Sequence, residues 1–327
     1  EPCEAHRAAC STGAVLTICS SSDYGGLDYM SAFYPRWMQE PGRLVFIGRI
    51  SGRVVALESV LLVDGGQTAV VQGLRVVPDL RGRGIAGAIQ RHVANHVRQH
   101  YPEVRAVRLT RGEAPTPETL TKYRVIAKEV CRSVGAETRS TLTSCFQTDS
   151  GAASCGDICY LRSKLARGSE SSSGGPLTLS QEQAETLILT RHVVSNLLPG
   201  KTIISNSEPL KPLEANLEVL RRRRLTWIVD RESEPKALGL GTPPYAVPYR
   251  HDALRININI FGRSLASVCA VFLAQLEAFL PSLRGYLIIC TYVDSEVWSG
   301  LRQFCENNAN VSFFKDYWED YVLETDI

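Results

Sequence analysis

The chain has 327 residues, a length that favours two domains of ordinary size over one. Its apolar fraction of 44% and charged fraction of 21% are those of a globular protein, and a net charge of +2 argues against nucleic acid or an anionic membrane as partner. No apolar run reaches the roughly 18–20 residues needed to span a bilayer; the longest, Tyr286 to Val293, reads as a buried strand.

In chain order, the N-terminal stretch contains Glu, His and several Cys without a long apolar core, which argues against a signal peptide; position 1 is Glu, not Met. The runs Arg43 to Ile50 and Arg53 to Asp64, joined by Ser51-Gly52, read as a β-hairpin. Gly65-Gly66 turns the chain into a third antiparallel strand, Thr68 to Val77. Ile85, Ile89, Val93 and Val97 recur every fourth residue, the stripe of an amphipathic helix. A strand over Val104 to Thr110 and a helix over Pro117 to Val130 follow. Gln147 to Gly156 and Arg167 to Pro176 have linker composition. The expected organisation is therefore a first domain over 1–150, a flexible Ser/Gly-rich linker over 151–176 and a second domain over 177–327. In that second half, strand Arg255–Phe261, helix Ser264–Leu280, strand Gly285–Val293, helix Glu296–Asn307 and the β-prone tail Val311–Ile327 repeat the order of the first. The fold class is α+β, with a mixed, mostly antiparallel sheet and a degenerate second copy.

The ten Cys form no tight spacing framework. Cys19, Cys269, Cys290 and Cys305 sit among apolar residues and read as buried thiols, so a reducing, cytoplasmic compartment is the default. Cys155 and Cys159 have no His at ligand spacing, and a zinc site there is a weak reading. His92, His96 and His100 share a helix face but lack a carboxylate or Cys nearby; they read as solvated polar residues, and no metal is expected.

The segment Leu74-Arg-Val-Val-Pro-Asp-Leu-Arg-Gly-Arg-Gly-Ile-Ala86 carries the chemistry. A pyrophosphate needs backbone N–H donors converging on it. Gly82 and Gly84 remove the side chains that would obstruct its approach and permit unusual dihedrals. The loop opens into a helix start at Ile85 and Ala86, whose unpaired N–H groups and positive dipole end favour an anion. Arg81 and Arg83 add charge. The missing third Gly argues against a dinucleotide fingerprint, and the missing Gly-Lys-Ser/Thr excludes a Walker loop.

The pattern Arg-x-x-Gly-x-Ala, with the upstream Leu-x-Val-x-Pro, resembles the signature of the GNAT N-acetyltransferases. The resemblance implies a GNAT acyl-CoA N-acyltransferase fold, acetyl-CoA as co-substrate, and backbone groups of Leu74 and Val76 holding the pantetheine arm. It also implies a strand splayed from the next one to leave a V-shaped gap for the thioester. Phe261-Gly-Arg-Ser264, at the equivalent point of the second copy, lacks paired glycines, so that copy is expected not to bind cofactor. Further segments resemble the two-lobed histidine N-acetyltransferase family: Tyr24-Gly-Gly-Leu-Asp-Tyr29, Val71–Val76, Arg108-Leu-Thr-Arg111, Lys122–Lys128, Lys211–Leu217, Thr242-Pro-Pro and Leu323–Ile327. That resemblance implies acetylation of the α-amino group of a free amino acid, L-histidine first.

In such a reaction a neutral amine attacks the thioester, a tetrahedral oxyanion forms and coenzyme A leaves as a thiolate. An N–H near Val76 would stabilise the oxyanion. Tyr123 is the candidate acid for the thiolate, or else a packing residue beside Ile126 and Ala127. Glu58, inside the apolar run Val54 to Val63, is a base, an amine-binding group or half of an ion pair. Gln72 hydrogen-bonds substrate or satisfies backbone at the splay. Tyr24, Asp28 and Tyr29 fall where GNAT folds cover the acceptor, or are ordinary surface or core residues. Arg221 to Arg224 reach a coenzyme A phosphate or form a charged helix end. The expected partner is a small-molecule amine, with no nucleic acid or membrane and a monomer favoured. The alternatives are a protein or peptide N-acetyltransferase and a non-catalytic acyl-CoA-binding protein.

Overall fold

The computed structural model describes residues 11–19, 26–138, 175–247, 253–279, 285–308 and 318–327. Tyr24, Cys155, Cys159 and residues 151–174 of the expected linker lie outside them.

Two short helices, α1 (Thr12–Leu16) and α2 (Met30–Trp37), precede the antiparallel strands β1 (Arg43–Ile50), β2 (Arg53–Val63) and β3 (Thr68–Val76). Ser51 and Gly52 form the hairpin turn, with φ of 49° and 80°, the positive values that match strand twist. A 3-10 turn at Pro78–Leu80 leads into α3 (Ile85–His100), then β4 (Ala106–Arg111), α4 (Pro117–Lys122) and β5 (Arg124–Thr138). The α3 stripe Ile89, Val93 and Val97 is buried against the first three strands.

The helix expected over 117–130 stops at Lys122. The Thr116 hydroxyl caps its start by accepting from the Thr119 N–H, and Pro117 occupies the first turn. Leu120 is exposed, so this turn has no apolar face holding it to a core. From Arg124 onward the chain pairs with β14 along Arg124 to Cys131 and with β13 from Val130, so sheet pairing overrides helical propensity in a segment rich in β-branched Val125, Ile126 and Val130.

The second half begins with β6 (Leu177–Leu179), helices Gln181–Ile188 and Arg191–Asn196, and the small hairpin β7 (Ile203–Ser205) and β8 (Glu208–Leu210). After the helix Leu217–Arg223 come β9 (Thr226–Val229), β10 (Leu238–Gly241), β11 (Tyr245–Val247) and β12 (Ala253–Phe261). The helix Leu265–Phe279, β13 (Gly285–Val293), the helix Ser295–Asn308 and β14 (Trp318–Asp326) complete it. Helix Leu265–Phe279 is apolar on most faces because it packs between β9, β10 and β12 and the helix Ser295–Asn308.

All strands except β7 and β8 join one mixed sheet. Its order is β1-β2-β3-β4-β14-β5-β13-β12-β10-β9-β6, with β11 on β12. Each half contributes a run of antiparallel strands, β1-β2-β3 and β6-β9-β10-β12, followed by a parallel neighbour: β4 beside β3, and β13 beside β12. The next position is exchanged. Beside β4 lies β14, from the second half, and beside β13 lies β5, from the first. The two exchanged strands also pair with each other.

Charge pins this exchange in place. Arg108 on β4, fully buried, donates to Asp64 at 2.7 Å and to Glu324 of β14 at 2.6 Å. Asp64 in turn accepts from the Lys211 N–H at 3.0 Å, the Asn216 amide at 2.6 Å and the Thr68 hydroxyl at 2.8 Å. Burial alone would raise the Asp64 pKa; Arg108 and these donors pull it below the ordinary carboxylate range. Arg124 adds ion pairs to Glu324 and Asp326. Three segments that carry the family resemblance, 108–111, 211–217 and 323–327, thus meet in one network.

Candidate active site

Strands β3 and β4 pair only from Thr68–Ala106 to Val70–Arg108, and then diverge while β3 continues to Val76. On the other edge of β3, Gly73 and Leu74 together oppose the single residue Glu58 of β2, a bulge. Gly73 has φ of 78°, and a Cβ there would meet the Trp37 ring at 2.6 Å, so glycine is required both by conformation and by space.

The loop after β3 is built as a cradle. Arg81 Nε donates to the Val76 carbonyl at 3.0 Å, and Arg53 pairs with Asp79 at 2.9 Å, fixing the turn from outside. Gly82 and Gly84 have φ of 76° and 79°, and a Cβ on either would project into open space. Gly84 is the N-cap of α3, and no side chain among the described residues caps it. The first-turn N–H groups of Ile85, Ala86 and Gly87 therefore retain their anion-binding capacity. Arg83 is exposed on the loop. These observations fit a diphosphate. At Gly262, the corresponding point of the second half, φ is 134° and a Cβ would meet the Lys236 carbonyl at 2.3 Å. That loop is closed by backbone, and Arg263 is paired with Asp294.

Between the splayed strands lies a cavity of about 1010 Å³, bounded by Leu74 on one lip and Leu109 to Arg111 on the other. Glu58, Gln72, Tyr29 and Tyr123 line it. Glu58 is 3% exposed; burial pushes its carboxyl up to about 7, against a hydrogen bond from Gln90 of α3. Its Oε2 has no hydrogen-bond partner among the described residues. Gln72 donates through Nε2 to the Asn206 carbonyl at 2.7 Å, and its Oε1 is likewise without a described partner. Tyr123 follows the last turn of α4 in extended conformation, with Lys122 Nζ 5.3 Å from its ring centroid. Tyr29 stacks edge-on to Phe33 at 5.2 Å, under the Arg75 guanidinium.

Other candidates fall elsewhere. Asp28 is buried behind the wall, where it accepts from Arg75 at 2.9 and 3.3 Å and from the Met30 N–H. His96 and His100 stack at 4.1 Å, and His96 packs against Phe46. Arg221, Arg222 and Arg223 find Glu185, Glu218 and Glu208.

The far wall was missed by sequence reasoning. It consists of Asn206, Tyr245, Arg255, Asn257, Tyr292 and Asp320, from the second half. Asn206 sits in the β7–β8 turn and joins the halves: its carbonyl takes Gln72, and its side-chain oxygen accepts from Asn257 at 2.9 Å. Burial pushes Asp320 up to about 6 although Arg255 opposes it, and pushes the Tyr245 hydroxyl up to about 12. One signal was available. Arg255, Asn257 and Asn259 alternate with Ile256, Ile258 and Ile260, so three polar side chains share one face of a buried strand.

The geometry agrees with sequence comparison. Residues 17–115 match a family model described as acetyltransferase (GNAT) family, and residues 172–294 one described as histidine N-acetyltransferase, C-terminal. The chain is 35% identical over 312 residues to the histidine N-acetyltransferase of Scomber australasicus, covering 95% of this chain and 90% of that protein. It is also 35% identical to the probable N-acetyltransferase 16 of Homo sapiens, covering 96% and 82%. Among solved structures, a GCN5-related N-acetyltransferase from Sphaerobacter thermophilus superposes with a TM-score of 0.51 at 12% identity, over 99% of this chain and 95% of that one. The N-myristoyltransferase of Saccharomyces cerevisiae with bound myristoyl-CoA also gives 0.51, at 11% identity, over 95% and 75%. These likenesses carry the fold, and the closer relatives carry the family: the chain belongs to the histidine N-acetyltransferases, two-lobed N-acetyltransferases of the GNAT superfamily.

Proposed function

We propose that the protein transfers the acetyl group of acetyl-CoA to the α-amino group of a free amino acid, L-histidine first. The observation that carries this reading is Glu58, a buried carboxylate in the cavity where β3 and β4 separate, one oxygen of which has no hydrogen-bond partner among the described residues. An amino group at neutral pH is mostly an ammonium ion, and must lose a proton before it attacks. A glutamate whose carboxyl burial pushes up to about 7 is better matched to that proton than an ordinary one.

Acetyl-CoA, when bound, supplies the thioester that donates the acyl group. The residues around it have separable tasks. Gly82, Gly84 and the first turn of α3 grip the diphosphate, while the exposed edge of β3 at Leu74 and Val76 orients the pantetheine arm. Tyr123 offers a hydroxyl on the other side of the gap and gives a proton to the departing sulfur. The cavity volume accommodates an acylated arm and an amino acid together. The first 150 residues supply the cofactor grip, and residues 177–327 close the acceptor side. Cys131, Cys269, Cys290 and Cys305, buried and outside any disulfide among the described residues, support a reducing compartment.

The test is a thiol-release assay with acetyl-CoA against the free amino acids and a matched set of peptides bearing the same N-terminal residues. Turnover on histidine above the other amino acids is expected. Turnover on peptides alone would overturn the assignment, as would tight acetyl-CoA binding without turnover on any amine.

A further inference from the structure

Among the described residues four arginines are buried, and three of them hold a carboxylate. Arg43 takes Glu208 at 2.5 Å, Arg75 takes Asp28 at 2.9 Å, and Arg108 takes Asp64 at 2.7 Å. The fourth, Arg255 on β12, is 7% exposed. Its Nε donates to Asn257 Oδ1 at 2.9 Å, and its terminal nitrogens donate to the Leu27 carbonyl at 3.0 Å and the Tyr292 hydroxyl at 3.1 Å. All three acceptors are neutral. Among the described residues, no carboxylate oxygen lies within the 4.0 Å of an ion pair. Asp320, on the same wall, feels the Arg255 charge but stands beyond that distance.

A guanidinium has five N–H groups. Among the described residues three find acceptors, which leaves one on each terminal nitrogen, and Arg255 lines the cavity. The three bonds also fix the plane of the group, with Tyr245 flanking it at 5.9 Å from the ring centroid. A buried cation that lacks a paired counter-ion is expensive. Here it is held rigid at the wall of a space that receives substrate, an arrangement that favours an incoming anion.

We infer that Arg255 receives the α-carboxylate of the acceptor amino acid, and so separates free amino acids from peptide N-termini and from amines without a carboxylate. This rests on the free-amino-acid reading above and adds the residue that enforces it. The carboxylate is one carbon away from the reacting nitrogen. Once it is seated, rotation about the Cα–carboxyl bond is nearly all the nitrogen has left to search. In a peptide the same carbon is an amide: it brings no charge, and the next residue must fit beside β12.

The experiment compares kcat/KM for L-histidine, L-histidinamide and histamine in the wild type, Arg255→Gln and Arg255→Lys. Wild type is expected to favour histidine over the other two by on the order of 100-fold, the factor that charge-assisted hydrogen bonds supply. In Arg255→Gln, histidine should fall by about that factor, chiefly through KM, while the amide and histamine stay nearly unchanged, so the ratio approaches one. Arg255→Lys should recover part of it. Calorimetric acetyl-CoA affinity at the wild-type value reports an intact fold. Equal wild-type rates on histidine and histidinamide would overturn the inference, even if both variants fail to fold. A uniform loss on all three substrates in folded Arg255→Gln would overturn it too. In either case histidine turnover leaves the acetyltransferase reading standing. Absence of turnover on any free amino acid sinks that reading instead.

Discussion

Replacing Glu58 with Gln separates what burial does to the fold from what the carboxylate does for the reaction. Below about pH 4.5, the ordinary value for glutamate, folded and unfolded chains both carry the proton and burial of the side chain is not penalised. Between there and about 7 the unfolded chain releases its proton while the folded one retains it. Stability is therefore lost as pH rises, and the loss is complete above the folded value. The gap is worth roughly 3 kcal/mol. The neutral amide of the Glu58→Gln variant carries no such penalty. At about 2.1 cal/mol/K of unfolding entropy per residue, the 327-residue chain should gain roughly 4 °C in Tm at pH 8 and little at pH 5. Glu129, buried and pushed up to about 8, titrates in both proteins and cancels in the comparison. Turnover should fall about 10²- to 10⁴-fold, the range of a lost general base. The rise of wild-type kcat/KM through about pH 7 should vanish with it. Differential scanning fluorimetry across pH and the thiol-release assay read both effects. A Tm difference that does not change with pH, together with retained turnover, would refute the reasoning.

Three other positions probe neighbouring parts. Gly84→Glu places a charged side chain where the cradle is open and forces it to a φ of 79°; calorimetry should show acetyl-CoA affinity more than about 10-fold weaker. Gly84→Ala should cost about 1–2 kcal/mol in stability with a smaller effect on affinity. Tyr123→Phe should slow turnover at least about 10-fold at unchanged acetyl-CoA affinity, whereas a packing role would leave the rate untouched. Asp28→Asn strips the carboxylate from buried Arg75 and should lower stability in urea by roughly 3 kcal/mol while leaving acetyl-CoA binding intact. A change under about 1 kcal/mol would show that the pair is dispensable.

The cradle was legible because its meaning is local. Strand, paired glycines and helix start lie within thirteen consecutive residues, Leu74 to Ala86, and each acts through its own backbone. Glu58 was visible for a related reason, as a lone carboxylate inside an apolar strand. Arg255 was not. Its role arises only when β12 is brought to the far side of a cavity opened by β3 and β4; the alternation of Arg255, Asn257 and Asn259 with isoleucines marks a polar face on a buried strand but not what that face meets. Asp28 was a candidate only by its place before the first hairpin; its pairing with Arg75, 47 residues away, was not visible in the sequence. The helix expected over 117–130 was misread because the strands that claim residues 124–138 come from the other half of the chain.

The exchanged strands impose a schedule on biosynthesis. Arg108 waits for Glu324 across 216 residues, which at about 5–20 residues per second is roughly 10–40 s of elongation. Throughout that interval the edge of β4 that β14 will cover offers bare N–H and C=O groups to any passing strand. The ribosome therefore releases a catalytic lobe that is unfinished until its last partner emerges, and nascent chains should depend on holdase chaperones far more than a single-lobed acetyltransferase does.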